Sequence, residues 1–108
     1  MALAKDIYAL ARLMPKQEEY RLTSQMLRAS VSIAANIAEG HARATRKDYA
    51  HFVSMARGST AELETLLLLA RDTTLLSADA TAAPLETTER VAKMLTKLHA
   101  RLKETPEG

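Results

Sequence analysis

A chain of 108 residues with 47% hydrophobic and 26% charged residues and a net charge of +2 has the size and balance of one globular domain. It holds no cysteine, which excludes disulfides and thiolate metal sites. Its longest apolar runs, Ile7 to Ala11 and Leu66 to Ala70, fall far short of the roughly 20 residues that span a bilayer. The N-terminus lacks the charged, apolar, small order of a signal peptide, so a cytoplasmic protein without membrane contact is expected.

Aromatic residues are scarce while Ala and Leu abound, which favours helices. The first helix is expected over about 3–14. Leu3, Ile7, Leu10, Ala11 and Met14 share one face, and Pro15 disfavours α geometry in the residue before it. A short polar connector, Lys16 to Tyr20, makes the next helix an antiparallel neighbour. Thr23 or Ser24 can cap that second helix, expected over about 23–39.

Helix 2 divides into three lines at 100° per residue. Met26, Ser30, Ile33 and Ile37 form one apolar line; Leu27, Val31, Ala34 and Ala38 form a second beside it. Two adjacent lines of small residues imply a helix pressed on two sides, by neighbours or by a second subunit. Gln25, Arg28, Ser32, Asn36 and Glu39 form the polar third line. Arg28, Asn36 and Glu39 read either as a polar site or as a structural network. The structural reading is preferred, because charged groups within a tight assembly must be paired and hydrogen-bonded. Gly40 is placed as the left-handed residue that ends the helix.

Thr45-Arg46-Lys47-Asp48 fits a capping box, and the third helix is expected over about 46–71. Its core stripe is Tyr49, Phe52, Ala56, Ser59, Leu63, Leu67 and Ala70. Gly58 beside Ser59 suggests a close helix crossing, since glycine in mid-helix costs about 1 kcal/mol relative to Ala. The fourth helix is expected over about 78–103; Ser77 can cap a helix that passes through Pro84 with a kink, the preferred reading, or the helix starts afresh with Pro84 in its first turn. Thr88, Val91, Leu95, Leu98 and Leu102 repeat as a bundle seam, and a frayed tail is expected from Glu104 to Gly108.

The ordered set Pro15, Glu19-Tyr20, Leu22-Thr23-Ser24-Gln25, Arg28-Ala29-Ser30-Val31-Ser32-Ile33 and Asn36-Ile37-Ala38-Glu39-Gly40 resembles the signature of one bacterial family. The likeness continues through Tyr49, Phe52, Ala56-Arg57-Gly58-Ser59, Glu62-Leu63-Glu64 and Ala70. The family is the four-helix bundle proteins also called 23S rRNA intervening-sequence proteins, or S23 proteins. The resemblance implies an all-α, antiparallel up-down four-helix bundle and a ring-like homopentamer. Related accessory proteins of diversity-generating retroelements are similar bundles that bind nucleic acid and a reverse transcriptase through a basic surface. Members usually carry an aromatic-containing segment ahead of the first helix, whereas Met1 here falls almost at its start.

No catalytic constellation is apparent. His41, His51 and His99 lie on different segments without metal-binding spacing and read as surface or loop histidines. No histidine is clearly placed to activate a hydroxyl, and no glycine-rich phosphate loop exists. Neither a cofactor nor a small-molecule substrate is expected. Two basic groups remain as candidate contacts to nucleic acid: Arg43, Arg46 and Lys47 at the loop between helices 2 and 3, and Arg90, Lys93, Lys97 and Arg101 along helix 4. Glu86 with Arg90 and Glu89 with Lys93 are i,i+4 pairs, so on the residues alone a solvated face is the preferred reading of helix 4. Ala50, Ser54, Arg57, Ala61 and Leu68 are placed opposite the core stripe of helix 3. With Leu27, Val31 and Ala34 they form a candidate subunit interface. The expected function is a non-enzymatic homo-oligomeric module binding RNA or a ribonucleoprotein. The alternative is a structural or protein-interaction ring.

Overall fold

The computed structural model describes residues 2–104, and the tail expected to fray lies, beyond Glu104, outside the described residues. Four helices form: α1 (Ala2–Ala11), α2 (Leu22–His41), α3 (Arg46–Asp72) and α4 (Ala78–Lys103). They build an all-α antiparallel four-helix bundle, 55 × 21 × 18 Å. α3 packs against α2 and α4, and α1 bridges the outer sides of α2 and α4.

α1 buries Leu3, Ile7 and Leu10 and stops at Ala11, earlier than expected. Its last turn tightens into i→i+3 bonds, Leu13 N to Leu10 O at 2.9 Å and Met14 N to Ala11 O at 3.2 Å. Pro15 then bars α geometry at Met14. A 3₁₀ turn, Lys16–Glu18, leads into α2. Neither Thr23 nor Ser24 caps α2. The N-cap position is Arg21, without a side-chain bond, while Ser24 Oγ donates back to Arg21 O at 3.1 Å and the buried Thr23 Oγ1 has no partner. The helix begins earlier because Leu22 is buried beside Leu66 and Leu75 at the end of α3, where burial of the leucine outweighs a cap worth about 1 kcal/mol.

The glycine assignments change places. Gly40 stays inside α2, and a Cβ there would stand 2.9 Å from Phe52 Cβ and 3.0 Å from Tyr49 Cδ1. It is Gly40, and not Gly58, that permits a close helix approach. A Cβ on Gly58 would meet nothing within 4 Å. Nor does a glycine end a helix in the left-handed region: that residue is Thr74, φ 61°, after α3. The bonds of Leu75 N to Ala70 O (2.9 Å) and Thr74 N to Arg71 O (3.0 Å) make a Schellman ending.

Two caps stand as expected: Thr45 Oγ1 accepts from Asp48 N at 3.1 Å and Ser77 Oγ from Ala80 N at 3.0 Å. α4 runs through Pro84.

The core has two segments. Where four helices meet, Leu3, Ile7, Met26, Ile33, Leu63 and Leu67 interlock. At ~1.5 Å per residue the ten residues of α1 span about 15 Å against about 40 Å for α3. The remaining segment is therefore built by α2, α3 and α4: Val53, Ala56 and Leu95, flanked by Ile37, Leu98 and Leu102. The candidate site lies at this three-helix end.

Candidate nucleic-acid interface

Antiparallel packing sets the first turn of α3 beside the last turn of α4. Arg46 Nη2 donates to Arg101 O at 2.6 Å, a carbonyl of the last turn that also accepts from Glu104 N at 3.3 Å. The two basic groups read from the sequence thus meet at one place. Lys47 and His51 are one turn apart on α3, as are His99 and Lys103 on α4. These four and Ser54 line an open groove of about 570 Å³, with Glu104 at its edge. Deeper along α3, Arg57 Nη1 lies 3.4 Å from His99 Nδ1. Burial lowers the His99 pKa below the ordinary 6.5, and the nearby charges of Arg57 and Lys103 act in the same direction. His99 is therefore half-buried and engaged, not a plain surface histidine.

The other cations are committed differently. Arg90 pairs with Glu86 at 3.4 Å and Lys93 with Glu89 at 3.3 Å. Arg43 holds Glu39 at 2.6 Å and lies 4.6 Å over the Phe52 ring. Among the described residues Lys47, Lys97, Lys103 and the Arg101 side chain have no carboxylate within 4.0 Å.

The polar line of α2 is not brought together into one network. Arg28 reaches Glu62 at 3.6 Å, with both side chains well exposed, and Glu39 is taken by Arg43. The middle of the line makes a hydrogen-bonded link between two helices: Asn36 Nδ2 donates to Ser32 O at 2.9 Å, and the Ser32 and Ser59 hydroxyls meet at 2.8 Å. Arg28 and Glu39 stand about three turns apart on α2, and each takes a separate, exposed partner instead of a buried one.

Ala50 requires correction as an interface residue: it is 6% exposed and buried within the monomer. α3 is flanked by α2 and α4 and so buries a broader arc than one stripe. Ser54, Arg57 and Ala61 line a shallow groove with Ala92 and Thr96 of α4, and Leu68 another with Leu85. The face read as opposite the core is the α4-facing flank. On α2, Leu27 and Ala34 are half-buried while Val31 is 45% exposed.

Reading the sequence missed His51, His99 and Lys103 as a group. The signal was present in the i,i+4 spacings Lys47/His51 and His99/Lys103. It becomes a site only when the antiparallel topology pairs the two helix ends.

Among the described residues no three His, Asp or Glu side chains gather as for a metal ion. No helix among the described residues is long and apolar enough to cross a membrane. Fold and site together define an all-α bundle with a group of cations lacking carboxylate partners, among the described residues, at its three-helix end; Lys5, Arg12 and Lys16 near the N-terminus lack one too. The profile of the 23S rRNA-intervening sequence protein matches residues 1–97, and the chain belongs to this family, as the ordered motifs implied. The fold is similar to the crystal structure of a protein with unknown function from the S23 ribosomal protein family of Bacteroides thetaiotaomicron VPI-5482. The TM-score is 0.84 at 24% identity, covering 95% of this chain and 94% of that one. Comparison with curated proteins gives no match.

Proposed function

We propose that this protein is a non-enzymatic, homo-oligomeric module that binds RNA, alone or within a ribonucleoprotein. One observation carries the reading. Lys47, Lys97, Arg101 and Lys103 have no carboxylate partner within 4.0 Å among the described residues, whereas Arg43, Arg90 and Lys93 are paired. An ion pair on a solvated face leaves little field; cations without partners hold condensed phosphates by releasing counterions. A subunit charge of +2 is too small for strong binding alone. Assembly into a ring, a pentamer as the family resemblance suggests, repeats the basic end in each subunit and lets weak contacts act together. The family's description, a 23S rRNA-intervening sequence protein, is compatible with an RNA partner.

Binding is expected to be largely independent of base sequence and to fade with salt. Each phosphate neutralised on a single strand adds about 0.7 to the log–log slope. Retention of structured RNA at low and physiological salt tests the reading, with a Lys97→Glu/Arg101→Glu variant that should retain less while keeping its helical content. No retention at low salt would sink it.

A second reading, a ring that only binds protein, is favoured by exposed apolar side chains: Val31 at 45%, Met55 at 46% and Met94 at 63%. If the wild type retains no RNA but sediments as an oligomer, this second reading stands.

A further inference from the structure

The groove between the start of α3 and the end of α4 differs from a plain basic patch. It is walled by two lysines and two histidines, Lys47 and His51 on one side and His99 and Lys103 on the other, with the Ser54 hydroxyl on the α3 wall. Arg46, bonded to Arg101 O, covers part of the negative end of the α4 dipole that would otherwise face an anion. The acids nearby are Glu104 at the rim and Asp48, whose backbone N–H is taken by Thr45.

His99 gives this arrangement its character. Arg57 cannot accept a hydrogen bond, so at 3.4 Å the imidazole Nδ1 is the acceptor and His99 is neutral in the free protein. Protonating it there would place two cations side by side, with Lys103 one turn away. An anion in the groove reverses that balance, because it offsets the added charge and can accept from the ring. Resting on the RNA-binding reading, we propose that this groove is the seat of RNA backbone phosphates and that binding there is coupled to uptake of a proton by His99. Lys47 and Lys103 supply permanent charge, and His51 lines the same groove.

The sign follows from linkage. The bound form holds more protons than the free form, so affinity rises as pH falls through the histidine range. For one fully linked proton the limit is about tenfold per pH unit.

The test measures a single-stranded RNA oligonucleotide binding at low salt, at about pH 7.5 and about pH 6. The wild type should bind several-fold tighter at the lower pH. His99→Gln should lose most of that gain, whatever its affinity at the higher pH. Lys47→Glu/Lys103→Glu should bind weakly at both. The imidazole proton resonance of His99 in the wild type gives a check free of any variant: its titration should move to higher pH when RNA is added. An equal pH gain in His99→Gln with an unmoved resonance, or full affinity in the double lysine variant, overturns the groove proposal while RNA binding itself stands. Inorganic phosphate competing as well as the oligonucleotide, phosphate for phosphate, also overturns it, as a free-anion site. No RNA binding at either pH removes the functional reading beneath it.

Discussion

Gly40 of α2 lies directly under Phe52 of α3, with a Cβ on the glycine placed 2.9 Å from the Phe52 Cβ. The neighbouring atom is the root of a side chain, fixed to the α3 backbone, so it cannot swing aside. Tyr49 closes the other side, its Cδ1 at 3.0 Å and its carbonyl oxygen at 3.4 Å. Gly40→Ala should therefore lower stability by about 1–2 kcal/mol, an overpacking cost that exceeds the roughly 1 kcal/mol gained in helix propensity. Denaturant midpoints for the two proteins measure it. An alanine variant as stable as the parent would mean that α2 and α3 separate there without cost.

Gly58 should respond in the opposite direction. Its Cβ position is open for 4 Å, and it sits in mid-helix, where glycine costs up to about 1 kcal/mol relative to alanine. Gly58→Ala should raise stability by roughly that amount in a thermal or denaturant melt. A loss would indicate that another subunit packs on this position.

These two positions show what could be read from the residues alone. Helix existence follows from periodicity, and Leu3/Ile7/Leu10 or Thr88/Leu95 need no tertiary knowledge to be placed inside. The caps Thr45 and Ser77 are local chemistry and equally legible. What a glycine is for depends on which helix passes over it, which the local sequence does not encode. The same holds for Ala50, whose burial is decided by α4, about 50 residues further along. The site was half legible: the cations were named, but the meeting of Arg46 with Arg101 across 55 positions needed the topology. His99 was passed over because its partner, Arg57, stands 42 positions away.

Thr74 carries a backbone cost that a different residue would relieve. Its φ of 61° suits glycine, and a β-branched side chain is strained there. The Schellman bonds around it are made by backbone groups and do not depend on the side chain. Thr74→Gly should stabilise the protein by about 0.5–1 kcal/mol. A drop in melting temperature would show that the hydroxyl bond to Thr73 O, 2.6 Å, outweighs the strain.

Thr45 is the opposite case, a side chain whose removal leaves an open donor. Its Oγ1 accepts from Asp48 N at 3.1 Å at the start of the longest helix. Thr45→Ala should cost about 1 kcal/mol, while Thr45→Ser should be nearly neutral. Equal melts for the alanine and serine variants would remove the cap from the account. Because the cap orients Arg46 and Lys47 at the groove, the alanine variant should also weaken RNA retention at low salt.

The last expectation concerns stability against pH in the free protein, where His99 must be neutral to accept from Arg57. Its pKa in the folded state lies below the ordinary 6.5, held down first by burial and then by Arg57 and Lys103. The unfolded chain therefore binds the proton more readily than the folded one. Stability is fully present above pH ~6.5 and is lost as pH falls from there through the lowered folded value. Below both values no further loss arises from this residue. The useful quantity is the difference between wild type and His99→Gln, in which everything common to the two proteins cancels. Over that window the wild type should lose melting temperature faster than the variant, since glutamine cannot take up the proton that the fold disfavours. Parallel curves would show that His99 is not held neutral by its surroundings. The same neutrality underlies the proton uptake expected when phosphate fills the groove, so parallel curves would weaken that proposal independently of any RNA measurement.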